Sequence, residues 1–459
     1  MCGIVGVHGH SDATHLAQLG LYALQHRGQE SVGVVSIDDA GRARAVRSMG
    51  TLNDAFGQEL AKVPGTSAVG HTRYSTAGSS TIENAQPVMA RSRGGFITLA
   101  HNGNLVNAGE LRVKLEEEGS IFASNSDSEV VVHLLARSSD GTPAQRLAEA
   151  LRNVDGAYSL IVAIGDTLLA ARDPRGWRPL AMGQLGDAVV FASETCALDI
   201  IGATYLRDVE PGEIVSANGN GITSMQAFPS TDLRRCVFEY VYFARPDSRV
   251  FGGSVNLARR ALGRRLAQEH PAPNADLVFS VPDSSNSAAL GFAEESHLPY
   301  ELALIRNHYV GRTFIQPTQA GRDAKVKVKY NPVREVLEGK SVVMVDDSIV
   351  RGTTTRGLVA LVRAAGAREV HLRVSSSPVT GPCYYGIDTP SREELIAATH
   401  TIPEIEAHLG VDSLGYLSLD GMLESVPSGP HGFCHACFSG DYPTAPPTDP
   451  DKLRFGCGC

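Results

Sequence analysis

The chain has 459 residues, enough for two large domains or about three ordinary ones, and no apolar run approaches the roughly 18 residues that a membrane-spanning helix needs. A net charge of −9 argues against a nucleic-acid binder, whose affinity rests on counterion release. With no basic segment ahead of an apolar stretch there is no export signal, so the expected location is the cytoplasm, and the eight cysteines read as thiols or ligands rather than a disulfide framework.

The first half is strand-rich. It opens "MCGIVGVHGH", with Cys2 directly before a short apolar strand, where a small buried thiol is the ordinary expectation. "GAYSLIVAIGDTLLAARD" and "DAVVFASE" read as strands bounded by Gly and Asp turns. "NAGELRVKLEEEG" closes on Gly119 as a helix, and "SDSEVVVHLLARS" opens another behind an N-capping Ser or Asp. Residues 1–230 therefore form a mixed α+β half.

Beyond "FPSTDLRRC" helix and strand alternate: helix 255–269, strand 275–281, helix 287–297, strand 300–305, then "KSVVMVDDSIVRGTTTRGLVALVRAAGAREVHLRVSS". That order predicts a parallel sheet. Lys325, Lys327 and Lys329 project to one side of an extended segment, either guarding a sheet edge or holding an anion. The tail, residues 443–459, is Pro-rich and irregular.

"VVMVDDSIVRGTTT" carries the most chemistry. A buried strand ends on Asp346 and Asp347, and a Gly- and Thr-containing loop leads into a helix, the place where ligands bind in parallel sheets. The backbone from Ile349 through Val350, Arg351, Gly352 and Thr353 to Thr354, with the hydroxyls of Ser348, Thr353 and Thr354, is suited to cradling a phosphate at the helix N-terminus. The aspartates suit a sugar diol or a hard cation such as Mg²⁺. A Walker loop is excluded: Gly339, Lys340 and Ser341 have Arg at 334 and lead into a strand.

The segment resembles the phosphoribosyltransferase signature, and Arg351-Gly352, "RNHYVGRTFIQP" and "VPDSSNSAALGFA" are similar to one branch of it, the amidophosphoribosyltransferases. That resemblance implies that Asp346 and Asp347 hold the ribose of phosphoribosyl pyrophosphate, that residues 348–354 hold its 5-phosphate, and that Ser284 joins the two aspartates at Mg²⁺. The chain departs from the branch at Arg306, Asn307 and His308, which leaves the cation that meets pyrophosphate open, although Arg312 is present.

Such a protein needs a source of ammonia. Loss of Met1 leaves Cys2 with a free α-amine of pKa about 7.7 to 8.0, so nucleophile and base share one residue. Arg73 in "GHTRYSTAG" suits a substrate α-carboxylate and Asp127 in "SNSDSE" an α-ammonium, with a surface Arg and a helix N-cap as the ordinary alternatives. In "AHNGNL", Asn102 and the Gly103 N–H are donors for an oxyanion. With "QHRGQES", these residues resemble the N-terminal-nucleophile glutamine amidotransferases over most of residues 1–230, a class that includes relatives with other acceptor domains.

Cys434 and Cys437 form a C-x-x-C pair, and Cys236 and Cys383 complete a set of four. By spacing alone tetrahedral zinc is favoured over a [4Fe–4S] cluster; the resemblance reverses that order. Cys196 reads as a buried thiol, while Cys457 and Cys459 match nothing in the family.

The resemblance thus implies an α+β N-terminal-nucleophile (αββα) glutaminase domain at 2–230 and an α/β phosphoribosyltransferase domain with a parallel sheet at 231–442. The implied reaction converts phosphoribosyl pyrophosphate, glutamine and water to 5-phosphoribosylamine, glutamate and pyrophosphate, with purine nucleotides as feedback inhibitors and a homotetramer as the assembly. It also implies that acceptor binding switches on the glutaminase through movement of loops 309–322 and 73–79. The alternatives are a non-catalytic phosphoribosyl or nucleotide sensor, whose glutaminase residues would have decayed, and a zinc-stapled scaffold.

Overall fold

Two antiparallel sheets build the first half of the computed structural model, which describes residues 1–55, 63–75, 78–92, 95–230, 232–308, 328–389 and 391–447. Among these, one sheet has seven strands, in the order 204–208, 181–185, 188–192, 3–8, 67–73, 31–37 and 43–49. The other has six, in the order 221–226, 213–218, 167–172, 156–164, 95–105 and 88–92.

Side chains alternate across each strand, so one strand serves two cores. Ile4, Val35 and Val69 pack between the sheets against Ile161, Leu168 and Val215. Val5 and Val7 face outward, against Leu21 of helix Ala13–Ala23 and Leu198 of helix Thr195–Ile201. On the far side, helices Ala108–Glu117, Ser128–Arg137 and Pro143–Leu151 cover Leu99, Leu160 and Val162. The expected αββα sandwich is the observed one.

The second half has four parallel strands in the order Leu277–Ser280, Ser341–Asp346, Glu369–Val374 and Ser413–Tyr416. Helices Val255–Glu269 and Asn286–Ser296 cover one face. They approach so closely that a Cβ on Gly263 would meet the Ala288 carbonyl oxygen at 1.8 Å. Helices Thr353–Ala364 and Ile402–Leu409 cover the other face.

The strand expected at 300–305 is a correction. Tyr300 makes only an isolated bridge to Val278, and Leu304–Arg306 instead pairs antiparallel with Tyr330–Pro332. Glu301 and Leu302 are both exposed, a pattern that a strand buried on two faces does not allow. Residues 309–322, Lys325, Lys327, Arg312, Cys457 and Cys459 lie outside the described residues, as do 76–77 of the 73–79 loop. No described helix is long and apolar enough to cross a membrane.

Candidate active site

The strand Gly3–His8 lies between strands 188–192 and 67–73, which fixes Cys2 at the end of a fully paired strand. Its thiol donates to the Tyr74 carbonyl at 3.6 Å, and its backbone nitrogen donates to Asn102 Oδ1 at 3.2 Å. The other end of that amide, Asn102 Nδ2, is buried without a hydrogen-bond partner among the described residues. A buried donor left unpaired is costly unless something outside the chain takes it up. At Gly103 a Cβ would stand 2.0 Å from the Ala157 carbonyl oxygen, so only glycine fits beside this amide.

Met1 still precedes Cys2 here. Its side chain is buried, with Arg178 Nη1 2.6 Å from its sulfur, and burial lowers its α-amine to about 6. Removal of this residue frees both the Cys2 nitrogen and the space that the side chain fills.

Arg73 ends strand Ser67–Arg73 with its side chain buried; Nη1 donates to the Ser79 carbonyl at 3.0 Å and lies 4.0 Å from the Glu30 carboxylate. Asp127 does not cap the helix it precedes. It has helical backbone angles, its Oδ2 accepts from the Leu105 N–H at 2.9 Å, and that oxygen lies 3.7 Å from His101 Nδ1. The capping alternative for Asp127 is therefore overturned. Sequence reasoning missed the loop's scaffold, in which Glu129 accepts from the N–H groups of Ala123 and Ser124 and Asn84 binds the Ser79 carbonyl.

Some distance along the chain, strand Ser341–Asp346 delivers Asp346 and Asp347 to a cavity of about 390 Å³. Ser284, Ser348, Val350, Arg351, Gly352, Thr353 and Thr354 also line it. Ile349 does not: its side chain is buried in the core beneath, leaving only backbone for a ligand. Burial raises the Asp346 carboxyl well above its usual range, and the neighbouring Asp347 adds to this. Burial raises Asp347 too, against the pull of the Ser284 and Ser348 hydroxyls and of Arg259. Two adjacent buried carboxylates are a donor set suited to a divalent cation.

Arg306 and Lys329 reach the same cavity, a role the sequence left open. Arg306 Nη1 pairs with Asp283, and the Lys329 ammonium sits 4.9 Å from the Tyr330 ring centroid. Arg351 pairs with Glu394 at 3.1 Å.

A second cavity, about 270 Å³, lies between the two sites. Met1, Arg27 and Tyr74 line it on the thiol side and Ser348 and Val350 on the acidic side. Phe238, Phe243, Val379 and Ile387 make the walls between largely apolar.

Cys236, Cys383, Cys434 and Cys437 line one further cavity, with Trp177, Arg178 and Tyr385. Cys236 and Cys434 are register partners in a short parallel ribbon. Burial pushes the Cys236 thiol up to about 11 and Cys434 to about 12, while Arg178 draws both back. Among the described residues no three His, Cys, Asp or Glu side chains stand close enough to hold a metal ion. The donors around this cavity are soft thiols with one buried cation beside them. Cys196 is the buried thiol expected, raised to about 12 by burial.

Residues 71–199 match the glutamine amidotransferase domain model, which defines the class of the first half. The amidophosphoribosyltransferase of Bacillus subtilis is 49% identical over 449 residues, covering 96% of this chain and 94% of that protein. Its counterpart from Archaeoglobus fulgidus is 46% identical, covering 97% and 99%. Two solved structures superpose with TM-scores of 0.93 and 0.92 at 48% and 47% identity. One, an allosteric regulatory enzyme of purine biosynthesis, is matched over 99% of this chain and 98% of its own. The other, glutamine phosphoribosylpyrophosphate amidotransferase from B. subtilis with ADP and GMP, is matched over 99% and 100%. The chain belongs to the amidophosphoribosyltransferase family.

Proposed function

We propose that the chain catalyses the step that opens purine biosynthesis, making 5-phosphoribosylamine, glutamate and pyrophosphate from phosphoribosyl pyrophosphate, glutamine and water. The observation that carries this reading is the apolar cavity from Met1 and Tyr74 to Ser348 and Val350, which joins a thiol site to a phosphate loop.

Once Met1 is removed, the Cys2 amine takes the thiol proton and sulfur attacks the glutamine amide. Arg73 holds the substrate α-carboxylate and Asp127 its α-ammonium. Asn102 Nδ2 and the Gly103 N–H stabilise the oxyanion, and the orphaned state of Nδ2 supports that role. Ammonia leaves, and water releases glutamate from the thioester. Ammonia then crosses the apolar cavity and attacks C1 of the ribose as the bond to pyrophosphate breaks.

Asp346 and Asp347 receive the ribose hydroxyls, and residues 348–354 the 5-phosphate. Arg306 and Lys329 face the departing pyrophosphate. The buried pair Asp346 and Asp347, with Ser284, fits Mg²⁺, which supplies charge neutralisation there. Cys236, Cys383, Cys434 and Cys437 line one cavity as four soft donors; by the family resemblance they would hold a [4Fe–4S] cluster, which would tie distant segments together.

Purine nucleotides share the ribose 5-phosphate of the substrate and so suit the same loop as inhibitors; a relative is known with ADP and GMP bound. We divide the chain into a glutaminase domain at 2–230, a phosphoribosyltransferase domain at 231–442 and a tail at 443–459. The homotetramer rests on the family resemblance, and the cytoplasm is the proposed location.

The experiment is pyrophosphate release, measured with glutamine and then with ammonium. Cys2→Ala is expected to abolish the first and keep the second. Asp346→Asn or Asp347→Asn is expected to impair both. Equal loss with both donors in Cys2→Ala would overturn the assignment of two separable sites.

A further inference from the structure

The turn Glu239–Phe243 lies between the two sites and touches both. Tyr242 lines the acidic cavity and the apolar one. Arg259, itself buried, donates from Nε to the Tyr240 carbonyl and from Nη2 to the Ala244 carbonyl, each at 2.8 Å. Its Nη1 lies 3.5 Å from the Ser284 carbonyl oxygen, and its charge acts on Asp347. One guanidinium thus fastens this turn to the acceptor site.

At its other end the turn grips the glutaminase half. The Glu239 carboxylate is fully buried and takes a fork from Arg27, Nη2 to Oε1 at 2.7 Å and Nη1 to Oε2 at 3.0 Å. Arg27 Nη1 also pairs with the buried Glu194, and Arg27 Nε donates to the Cys2 carbonyl at 3.0 Å. The Cys2 carbonyl therefore depends on a guanidinium whose plane is set by a carboxylate more than 200 residues away.

Interface stability alone does not call for this arrangement, since buried ion pairs are often replaceable by apolar packing. A bidentate fork does fix the orientation of the guanidinium plane.

We propose that Glu239 is a positioning residue for the nucleophile: from the acceptor half it locks the Arg27 fork, and Arg27 Nε fixes the direction of Cys2. Through Arg259 and Tyr242 the same turn feels the acceptor site, so an occupied acceptor site alters the seat of the thiol. This rests on the reading of Cys2 as the glutaminase nucleophile.

Glu239→Gln tests it, because the shape stays while the charge and one of the two fork acceptors go. Glutamine hydrolysis is expected to lose about 10- to 100-fold in kcat with KM for glutamine changed by less than about threefold. Alkylation of Cys2 by a glutamine-like chloromethyl ketone is expected to slow equally and to lose its response to phosphoribosyl pyrophosphate. Synthesis from ammonium is the internal control and is expected to stay within about twofold.

Unchanged kcat, or equal loss of the glutamine and ammonium reactions, would overturn the proposal. If Glu239→Gln does not fold, Arg27→Lys serves: it keeps the charge but loses the fork, and unchanged hydrolysis there is equally fatal. Absence of synthesis from ammonium in the unaltered protein would instead defeat the synthase reading, and alkylation of Cys2 would still decide the positioning role.

Discussion

Gly386 packs against the peptide of Gly103. A Cβ at 386 would lie 2.8 Å from the Gly103 carbonyl carbon and 2.9 Å from its oxygen, and the φ of +105° at Gly386 already disfavours any side chain. Next to this contact, Asn104 Nδ2 donates to the Tyr384 carbonyl at 2.9 Å. The segment after Cys383 is thus a backstop for the strand that carries Asn102 and Gly103.

Gly386→Ala is therefore expected to strain the contact by about 1 to 3 kcal/mol and to displace the Gly103 N–H. Because small misplacements of a catalytic donor are expensive, glutamine-dependent synthesis should fall at least about 10-fold while ammonium-dependent synthesis persists. Paired assays with a melting curve check this. Equal loss with both donors would place the damage elsewhere.

Asn102→Ala removes the buried, unpaired Nδ2 and with it a donor aimed at developing charge. The expected cost is about 10²- to 10³-fold in kcat for glutamine hydrolysis, with a smaller change in KM. Steady-state kinetics decide: a change confined to KM would make Asn102 a binding residue rather than an oxyanion donor.

Much of this was legible in the sequence where local chemistry decides. The helix expected at 255–269 is Val255–Glu269, because Ser254 caps it by accepting from the Leu257 N–H. The strand, acidic pair and Gly-Thr loop around Asp346 are contiguous, so one motif exposes them. Long-range relations were not legible. Nothing local announces that Arg27 meets Glu239 or that Gly386 rests on Gly103, since each depends on how the two halves dock. The apolar look of 300–305 misled because Leu302 is exposed.

The four-cysteine cavity predicts a metal dependence. Anaerobically purified protein should be brown, with about four irons and four sulfides per chain on Cys236, Cys383, Cys434 and Cys437. Removal of the cluster should lower the melting temperature, because the ligands join segments far apart in the chain and metal binding couples to folding. Stoichiometric zinc without inorganic sulfide would contradict it and favour the structural zinc site that spacing alone suggests.

The last prediction concerns pH and a buried carboxylate beneath that cavity. Asp173 Oδ1 accepts from the N–H groups of Arg175 at 3.0 Å and Trp177 at 3.3 Å, and Oδ2 accepts from the Tyr158 N–H at 3.2 Å. It thereby shapes the turn that places Trp177 and Arg178 against the cysteines. Burial raises its pKa from 3.8 to about 6, against the opposing pull of Arg172 and of the N–H groups of Tyr158, Trp177 and Gly176. The folded pKa lies above the unfolded one, so between them the native state holds more protons, and stability falls as pH rises from about 4 to about 6. At about 1.4 kcal/mol per pKa unit the loss is about 3 kcal/mol, complete above pH about 6. Asp173→Asn cannot ionise and removes this component, although it is less stable at acidic pH because its amide cannot accept all three N–H groups. Urea midpoints at pH 4.5 and 7 should therefore show the stability gap between the unaltered protein and Asp173→Asn narrowing by about 2 to 3 kcal/mol as pH rises. A gap that stays constant across that interval would mean that Asp173 is ionised throughout.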